Sequence, residues 1–303
     1  MERLTRPISS WKLRTRTLEL GRRTLVCGVV NITPDSFSDG GSFLAPEAAI
    51  SRCVQCLDEG ADLLDLGAES TRPGSRVGGE SAPAVSAEEE QSRLLPVLAG
   101  ILAIRPHAVI SVDTYKAATA RAALAAGAEI INDVSGFTWD MELPGVCANS
   151  GCGVVLMHTR GRPHEWRAQP KLAPDALLET VRAGLAASLA TATRAGIAFD
   201  SIVLDPGYGF GKKFDENYTL LARQAELLAL GRPLLAGVSR KSFLGNTLAP
   251  LHGGEPASVA ARENASLAAM VATILAGASI VRVHQVRLSV EAALIADAIL
   301  AAR

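Results

Sequence analysis

The chain has 303 residues, 48% of them hydrophobic and 20% charged, and its formal net charge is −1. This length and apolar content are enough for one large buried core, and a net charge near zero argues against a general nucleic-acid-binding surface. The first sixteen residues include five basic side chains, but no apolar segment follows them, so we expect no secretory signal.

Two further segments have alternative interpretations that can be weighed from composition. The stretch from Ala265 to Val281 is rich in alanine and contains polar residues, so it predicts a buried helix, a glycine stop and a strand rather than a membrane span. Cys53 and Cys56 form a C-x-x-C pair, but they fall in the middle of a predicted helix with no second ligand pair nearby. We therefore expect core-facing cysteines without disulfides, in a cytoplasmic protein with no membrane partner.

From the N-terminus, residues 1–24 precede the regular part of the chain and predict a short hairpin that caps the bottom of the domain, with Gly21 near its turn. Residues 25–303 repeat one pattern, in which a glycine closes a helical stretch and a short apolar strand follows. Glycine fits the left-handed conformation that often ends a helix, which explains the repetition. The predicted strands are 25–30, 63–66, 109–112, 130–131, 154–157, 202–204, 234–238 and 280–283.

Short apolar strands that alternate with helices predict a parallel sheet. Eight such units within about 250 residues favour a closed, single-domain (β/α)8 TIM barrel over an open sheet. The segments 32–44 and 71–87 both follow strands and are rich in Gly, Ser, Pro and Asp, so they are candidate lids on the catalytic face.

Polar or ionisable residues follow every predicted strand, at the end where barrel enzymes build their active sites. A single such residue has a structural explanation: Asp113 could cap a helix, His158 could be a satisfied buried histidine, and Arg282 could pair with a neighbouring helix. Structural roles alone do not readily explain why polar or ionisable residues follow all eight predicted strands at the same end of the sheet. The strand-end residues are Asn31, Glu69–Arg72, Asp113–Thr114, Asn132–Asp133, His158, Asp205, Ser239–Ser242 and Arg282–His284.

These residue types divide into two chemical groups. Cations and neutral donors suit phosphate oxygens; they are Asn31, Thr71, Arg72, Arg282 and His284. Carboxylate, amide and ammonium groups could bind the edge of a flat heterocycle that presents both donors and acceptors; they are Asp113, Asn132, Asp205 and Lys241. The glycine-rich segment that begins at Asp205 lacks the spacing of a phosphate loop or a dinucleotide fingerprint, so its glycines predict a tight backbone turn near a bound ring.

Several longer motifs resemble those of the dihydropteroate synthases, members of the pterin-binding enzymes. They occur in the family's order from about Thr24 to the C-terminus: Asn31-Ile-Thr-Pro-Asp-Ser-Phe-Ser-Asp-Gly-Gly, Glu69-Ser-Thr-Arg-Pro-Gly, Ser111-Val-Asp-Thr, Ile131-Asn-Asp-Val, Asp205-Pro-Gly-Tyr-Gly-Phe-Gly-Lys, Ser239-Arg-Lys-Ser and Arg282-Val-His. The resemblance implies condensation of 6-hydroxymethyl-7,8-dihydropterin diphosphate with p-aminobenzoate. It also implies a magnesium ion and a homodimer.

The resemblance further implies a role for each matching residue. The pterin would be bound by Asp113, Asn132, Asp205 and Lys241, and Met157 is a further expected substrate-binding residue. The diphosphate would be held by Asn31, Thr71, Arg72, Arg282 and His284, with the magnesium ion near Asn31. The aminobenzoate pocket would be formed by Thr71, Arg72, Pro73, Phe210, Lys241 and Ser242, with Asp35 and Phe37 closing over it. The residues expected to act in catalysis are Asp35, Arg72, Lys241, Arg282 and His284.

The chain departs from the family pattern at three places. Gln285 stands where an aspartate is usual, Thr159 where a methionine is common, and residues 75–81 lengthen the second candidate lid. Two other functions stay open on these residues. A corrinoid-type pterin-dependent methyltransferase would share the barrel but would not need the cations at 72, 282 and 284, and a non-catalytic paralogue would bind pterin without condensing it.

Overall fold

The computed structural model describes residues 6–32, 45–69 and 85–302 of the chain. Within these ranges the strands are β1 (Ser9–Lys12), β2 (Thr17–Leu20), β3 (Leu25–Asn31), β4 (Leu63–Gly67), β5 (Ile110–Asp113), β6 (Ile130–Asp133), β7 (Gly153–Met157), β8 (Ile202–Asp205), β9 (Leu234–Ala236) and β10 (Ala278–Val283). The helices are α1 (Ala45–Asp58), α2 (Ala87–Ile104), α3 (Ala117–Ala125), α4 (Leu143–Ser150), α5 (Pro174–Ala195), α6 (Phe214–Arg223), α7 (Ser242–Thr247), α8 (Glu263–Leu275) and α9 (Val286–Ala301).

Eight of the strands form a closed parallel barrel in the order β10-β3-β4-β5-β6-β7-β8-β9. Helices separate successive barrel strands and pack on the outside, where the branched side chains of the strands meet them in one large apolar cluster. The predicted (β/α)8 TIM barrel is therefore confirmed. The glycine stops are also present, since Gly151, Gly196 and Gly231 all have positive φ at the ends of helices.

The N-terminal hairpin closes the lower end of the barrel. β1 and β2 pair antiparallel, and Trp11, Leu13 and Leu20 join the apolar side chains that fill the bottom of the barrel interior. The hairpin turn lies at Leu13–Arg16, where the Leu13 amide donates to the Arg16 carbonyl at 2.8 Å. The expectation that Gly21 lies near this turn is wrong. Gly21 follows β2 with a φ of +101°, and a Cβ there would lie 2.3 Å from the Pro7 carbonyl oxygen.

Alternation along the barrel strands decides which side chains reach the interior. The lower inward layer is apolar and consists of Leu25, Cys27, Leu63, Val109, Ile130, Val155, Val203, Leu235 and Ile280. Because side chains of a strand alternate between its two faces, the next inward position lies two residues further along each strand. Those positions are Val29, Asp65, Ser111, Asn132, Met157, Asp205, Gly237 and Arg282. The barrel interior thus changes from apolar at the bottom to largely polar at the top.

The cysteines take part in this packing rather than in a site. All five are free and buried, and Cys53 and Cys56 of α1 have no exposed surface. Burial raises the pKa of Cys53 to about 12, so its thiol stays protonated at neutral pH. The core-facing prediction for both is confirmed. None of the helices in the described ranges combines the length and the apolar character needed to cross a bilayer.

Trp11→Ala should destabilise the fold by about 3–5 kcal/mol, because it removes a fully buried side chain and leaves a cavity. The change also leaves the Ser201 carbonyl without the indole N–H that donates to it at 2.9 Å. Urea unfolding would measure the free energy. Ile8→Ala is the control, because Ile8 is 60% exposed and should shift stability by no more than about 0.5 kcal/mol. Equal effects of the two changes would contradict a hairpin that seals the barrel.

Candidate active site

The described residues enclose a cavity of about 340 Å³ at the C-terminal ends of the barrel strands. A narrower pocket of about 40 Å³ continues from it into the barrel. This is the end at which barrel enzymes place their active sites. All ten predicted site residues that lie in the described ranges line one or both spaces: Asn31, Asp113, Asn132, Met157, Asp205, Phe210, Lys241, Ser242, Arg282 and His284.

Arg282 is the central cation of this site. It projects inward from β10, and its Nε donates to Asp65 Oδ2 at 2.6 Å while its Nη2 donates to Asp113 Oδ2 at 2.8 Å. The two carboxylates come from β4 and β5, so one guanidinium joins three strands of the barrel. Two oriented hydrogen bonds fix the plane of the guanidinium and leave little rotational freedom to the side chain.

Asp65 is a site residue that sequence reasoning missed. Its side chain has no exposed surface, and besides Arg282 it accepts from Ser111 Oγ at 2.6 Å and from Asn132 Nδ2 at 3.0 Å. Because Asp65 binds the NH₂ group of the Asn132 amide, the oxygen end of that amide points away from it. The signal was present in the sequence: Asp65 lies two residues after the inward-facing Leu63, in the middle of the strand rather than at its end.

Asp205 forms the opposite wall of the narrow pocket. It ends β8, is 5% exposed, and accepts the Gly207 amide on Oδ1 at 2.7 Å. The following glycine-rich segment is held by the buried Lys212, whose ammonium donates to the carbonyls of His158, Pro206 and Gly207 at 2.7–2.9 Å. Gly207 itself has a φ of +71°, which a side chain would not favour. The segment is thus a tight turn beside the pocket, as predicted.

Lys241 and Phe210 provide a flat surface above this wall. The Lys241 ammonium lies 3.8 Å from the centre of the Phe210 ring, and the edge of the Trp166 ring packs on Phe210 with centroids 5.2 Å apart. Met157 lies across the same pocket. An aromatic face, a thioether and a cation together suit a planar, polarisable ligand.

His284 lies on the rim, on the same inward series of β10 as Arg282. Its Nδ1 is 3.0 Å from Ser239 Oγ, and its carbonyl accepts from Arg52 Nη2 at 2.7 Å. The neighbouring Gln285 immediately precedes α9, and its carbonyl accepts the Ser289 amide. Ser239 therefore supplies a ring partner for His284 although the chain has glutamine at position 285.

Burial raises the pKa values of two carboxyl groups in the mouth. The pKa of Asp113 rises to about 7, because burial outweighs the opposing effect of Arg282, and the charge of Asp65 adds to the rise. Burial is also the largest cause of the raised pKa of Asp205, against which the Gly207 amide and the Lys241 charge act. Both groups can therefore respond to a ligand that offers hydrogen-bond donors.

Two of the strand-end residues do not belong to the site. His158 packs its ring against α5, where a Cβ at Gly184 would be 2.5 Å from the ring, and Asp133 accepts the amides of Ser135 and Phe137. Both directly follow inward-facing residues, so alternation turns them to the outside of the barrel. His158 is thus a buried structural residue, as expected, but it is not fully satisfied, because its Nδ1 has no hydrogen-bond partner among the described residues. The cap-only explanation for Asp113 is wrong, because its carboxylate binds Arg282.

Five predicted residues lie outside the described residues. They are Asp35, Phe37, Thr71, Arg72 and Pro73, in the segments 33–44 and 70–84. Glu69, which precedes the second segment, is described: its carboxylate contacts Lys116 and accepts the Val85 amide at 3.1 Å.

A closed parallel barrel whose mouth combines carboxylates with a fixed guanidinium defines an enzyme-type site for a small polar ligand. The sequence model of the family described as pterin binding enzyme matches residues 27–284. The chain belongs to this family.

The chain is also similar to individual enzymes. It is 40% identical over 278 residues to the dihydropteroate synthase of Escherichia coli K12, covering 92% of each chain. It is 42% identical over 270 residues to that of Mycobacterium leprae, covering 88% of this chain and 90% of the relative. The mitochondrial folate synthesis bifunctional protein of Pisum sativum is 39% identical, but the chain spans only 55% of its length.

Solved structures agree with these relatives. A Yersinia pestis dihydropteroate synthase in complex with a sulfonamide drug superimposes with a TM-score of 0.84 at 38% identity, covering 97% of this chain and 100% of that one. A Xanthomonas albilineans enzyme in complex with 7,8-dihydropteroate gives a TM-score of 0.80 at 36% identity, covering 96% of this chain and 99% of that one.

Asp113 should make the stability of the ligand-free protein depend on pH. Its folded pKa of about 7 lies above the ordinary value of 3.8, so between these values the folded state holds a proton that the unfolded state has released. The stabilisation from this group is complete below about pH 4 and is lost as the pH rises through about 7. Asp113→Asn cannot titrate and should flatten the slope by up to about 1.4 kcal/mol per pH unit.

Urea unfolding at several values between about pH 5 and pH 7 would measure this slope. Asp133→Asn is a matched control, because burial raises the pKa of Asp133 to about 6. That change should flatten only the lower part of the profile. Identical slopes for the parent protein and Asp113→Asn would contradict a raised pKa of Asp113 in the folded protein.

Proposed function

We propose that the chain acts as a dihydropteroate synthase. It condenses 6-hydroxymethyl-7,8-dihydropterin diphosphate with p-aminobenzoate, giving 7,8-dihydropteroate and pyrophosphate. The observation that carries the proposal is the fixed Arg282 beside the partly buried Asp113 and the buried Asn132 and Asp205, at the mouth of a barrel of the pterin-binding family. Relatives with this name match the chain over most of their length, and one of their structures contains 7,8-dihydropteroate.

The narrow pocket takes the pterin ring in this proposal. An aminopyrimidinone presents N–H donors beside acceptors, and Asp205 and the Asn132 amide oxygen can accept from it while the Lys241 ammonium donates. Asp205 and Asn132 are no more than 8% exposed, so a ligand that left them unpaired would bind poorly. Phe210 and Met157 supply the apolar contact for the ring faces.

The wider cavity takes the diphosphate. Breaking the bond between the pterin methylene carbon and the diphosphate oxygen leaves negative charge on the pyrophosphate. Arg282 is already oriented by Asp65 and Asp113, so it can stabilise that charge without reorganising, an effect often worth several kcal/mol. His284 lies on the same rim and can donate a further hydrogen bond.

The methylene carbon becomes electron-poor as the diphosphate leaves, and the electron-rich dihydropterin ring stabilises it. The amino nitrogen of p-aminobenzoate then forms the new carbon–nitrogen bond and releases a proton. This step needs orientation and the exclusion of water rather than a nucleophilic side chain. Ser242 and Lys241 border the cavity on the side where the second substrate would lie, and Thr71, Arg72, Pro73, Asp35 and Phe37 are assigned to the same pocket from the family motifs.

Magnesium is proposed as the cofactor. Asn31 ends β3 and lines the cavity with Arg282 and His284, and its amide oxygen is a neutral, hard donor that suits this ion. The described residues contain no group of three or more acidic, histidine or cysteine side chains that could hold a metal. Asn31 would therefore share the ion with the oxygens of the diphosphate. A bound magnesium ion would neutralise part of the leaving group's charge.

A homodimer in the cytoplasm completes the proposal. The outer face of α9 exposes Leu288, Leu294, Ile295 and Ile299, each more than two fifths accessible. An apolar row of this size on an outer helix is typical of a surface that a second protein covers. The five free thiols are compatible with a reducing compartment.

The direct experiment is a turnover assay. Purified protein with magnesium, the pterin diphosphate and p-aminobenzoate should release pyrophosphate and form dihydropteroate, detected by a coupled phosphate assay and by chromatography. Omitting p-aminobenzoate should abolish product formation. Calorimetry with free dihydropterin, run in parallel, separates the alternatives: binding without pyrophosphate release would indicate a non-catalytic pterin-binding paralogue.

A further inference from the structure

Arg240 has a backbone conformation that its side chain disfavours. Its φ is +60°, and Phe137 is the one other non-glycine residue with positive φ in the described ranges. A residue with a Cβ keeps the left-handed conformation only where surrounding contacts enforce it, and such positions often occur beside active sites. Arg240 lies immediately before Lys241 and itself lines the 340 Å³ cavity.

The beginning of α8 holds this residue through three separate groups. The Arg240 amide donates to Ser266 Oγ at 2.9 Å, and its Nε donates to Glu263 Oε1 at 2.6 Å. Its carbonyl accepts from Arg262 Nη1 at 3.1 Å. The N–H, the carbonyl and the side chain of one residue are thus all bound by a five-residue section, Arg262 to Ser266, at the start of α8 and just before it. These three contacts together hold Arg240 in the left-handed conformation that its side chain disfavours.

The turn decides where the next two side chains point. Lys241 follows it and places its ammonium over the Phe210 ring, and Ser242 then begins α7 at the edge of the cavity. Lys241 packs closely against the glycine-rich segment, where a Cβ at Gly209 would be 3.2 Å from Lys241 Cδ. Arg262 packs on α7, since a Cβ at Gly245 would be 2.4 Å from Arg262 Nε. If the backbone shifts at position 240, Lys241 therefore has no free rotation with which to return its ammonium to the same place.

We propose that Arg240, held in its left-handed turn by Glu263 and Ser266 of α8, is a positioning residue that sets Lys241 and Ser242 for the second substrate. This inference rests on the proposed function, and it assigns Glu263 and Ser266 of α8 an indirect role in the reaction. Arg240 acts through the backbone, so its effect differs from that of a cation that touches the substrate. The difference can be measured.

The test compares two truncations at one position. Arg240→Ala and Arg240→Gly remove the same guanidinium, but glycine adopts a φ of +60° without strain and alanine does not. Arg240→Ala should lower kcat/KM for p-aminobenzoate by more than tenfold, and Arg240→Gly should stay within about threefold of the parent protein. Glycine ordinarily weakens a fold relative to alanine, so this order is not what general destabilisation predicts.

Two variants remote from the cavity extend the test. Glu263→Gln and Ser266→Ala each loosen the turn from α8 and should lower kcat/KM for p-aminobenzoate by about three- to tenfold. Ser289→Ala is the matched control: Ser289, like Ser266, is a buried serine that donates to the carbonyl four residues before it, but it does not contact Arg240. Its kinetic constants should equal those of the parent protein.

The outcomes separate this inference from the proposed function. A parent protein that releases no pyrophosphate overturns the proposed function. An active parent in which Arg240→Gly and Arg240→Ala lose activity equally shows that the guanidinium acts directly, which overturns the positioning role. Variants whose melting temperatures fall while their kinetic constants stay unchanged also overturn it, because the cluster would then serve stability alone.

Discussion

The candidate active site depends on one partly buried cation, Arg282, bound by Asp65 and Asp113 from two other strands. Such an ion pair adds little net stability, because removing both charges from water costs about as much as their attraction returns. Removing one partner is different, since an uncompensated buried charge costs about 3–5 kcal/mol. The network therefore serves mainly to fix geometry. It holds a guanidinium that lines both the narrow pocket and the wider cavity.

Asp65 and Asp113 connect Arg282 to the other groups of the site. Asp65 also orients the Asn132 amide, so in the proposed reaction the same carboxylate would hold both the group that faces the ring and the group that faces the leaving anion. Asp113 is shared in the same way, because it lines both spaces while it binds Arg282. In the proposed reaction, ring recognition and leaving-group stabilisation are consequently coupled through two carboxylates. Binding energy from the ring can then be used to place the reacting bond.

Much of the fold could be predicted from the sequence, because the relevant signals are local. Glycine stops and short apolar runs gave all eight barrel strands within a few residues. The position of the hairpin turn could not be predicted, since Gly21 has a conformational role at a different place, against Pro7. That contact depends on where two distant segments meet, which no local pattern records.

The site shows a similar division. Choosing polar residues at the strand ends correctly identified Asp205 and Arg282, which line the pocket. The same criterion also selected His158 and Asp133, whose side chains point to the outside of the barrel because side chains alternate along a strand. The same alternation, counted from Leu63, would have found Asp65. Arg240 is a different case. Its proposed role rests on a backbone conformation that contacts with Arg262, Glu263 and Ser266 hold in place, and a sequence motif does not reveal those contacts.

The most direct test of the central claim is a crystal structure of the protein with 6-hydroxymethyl-7,8-dihydropterin diphosphate bound. The account predicts the pyrimidine edge within about 3 Å of Asp205 and Asn132, with the diphosphate oxygens contacting Arg282 while Asp65 still holds its Nε. A ligand bound outside the barrel mouth, or an Arg282 that leaves both carboxylates and points away from the diphosphate, would contradict it.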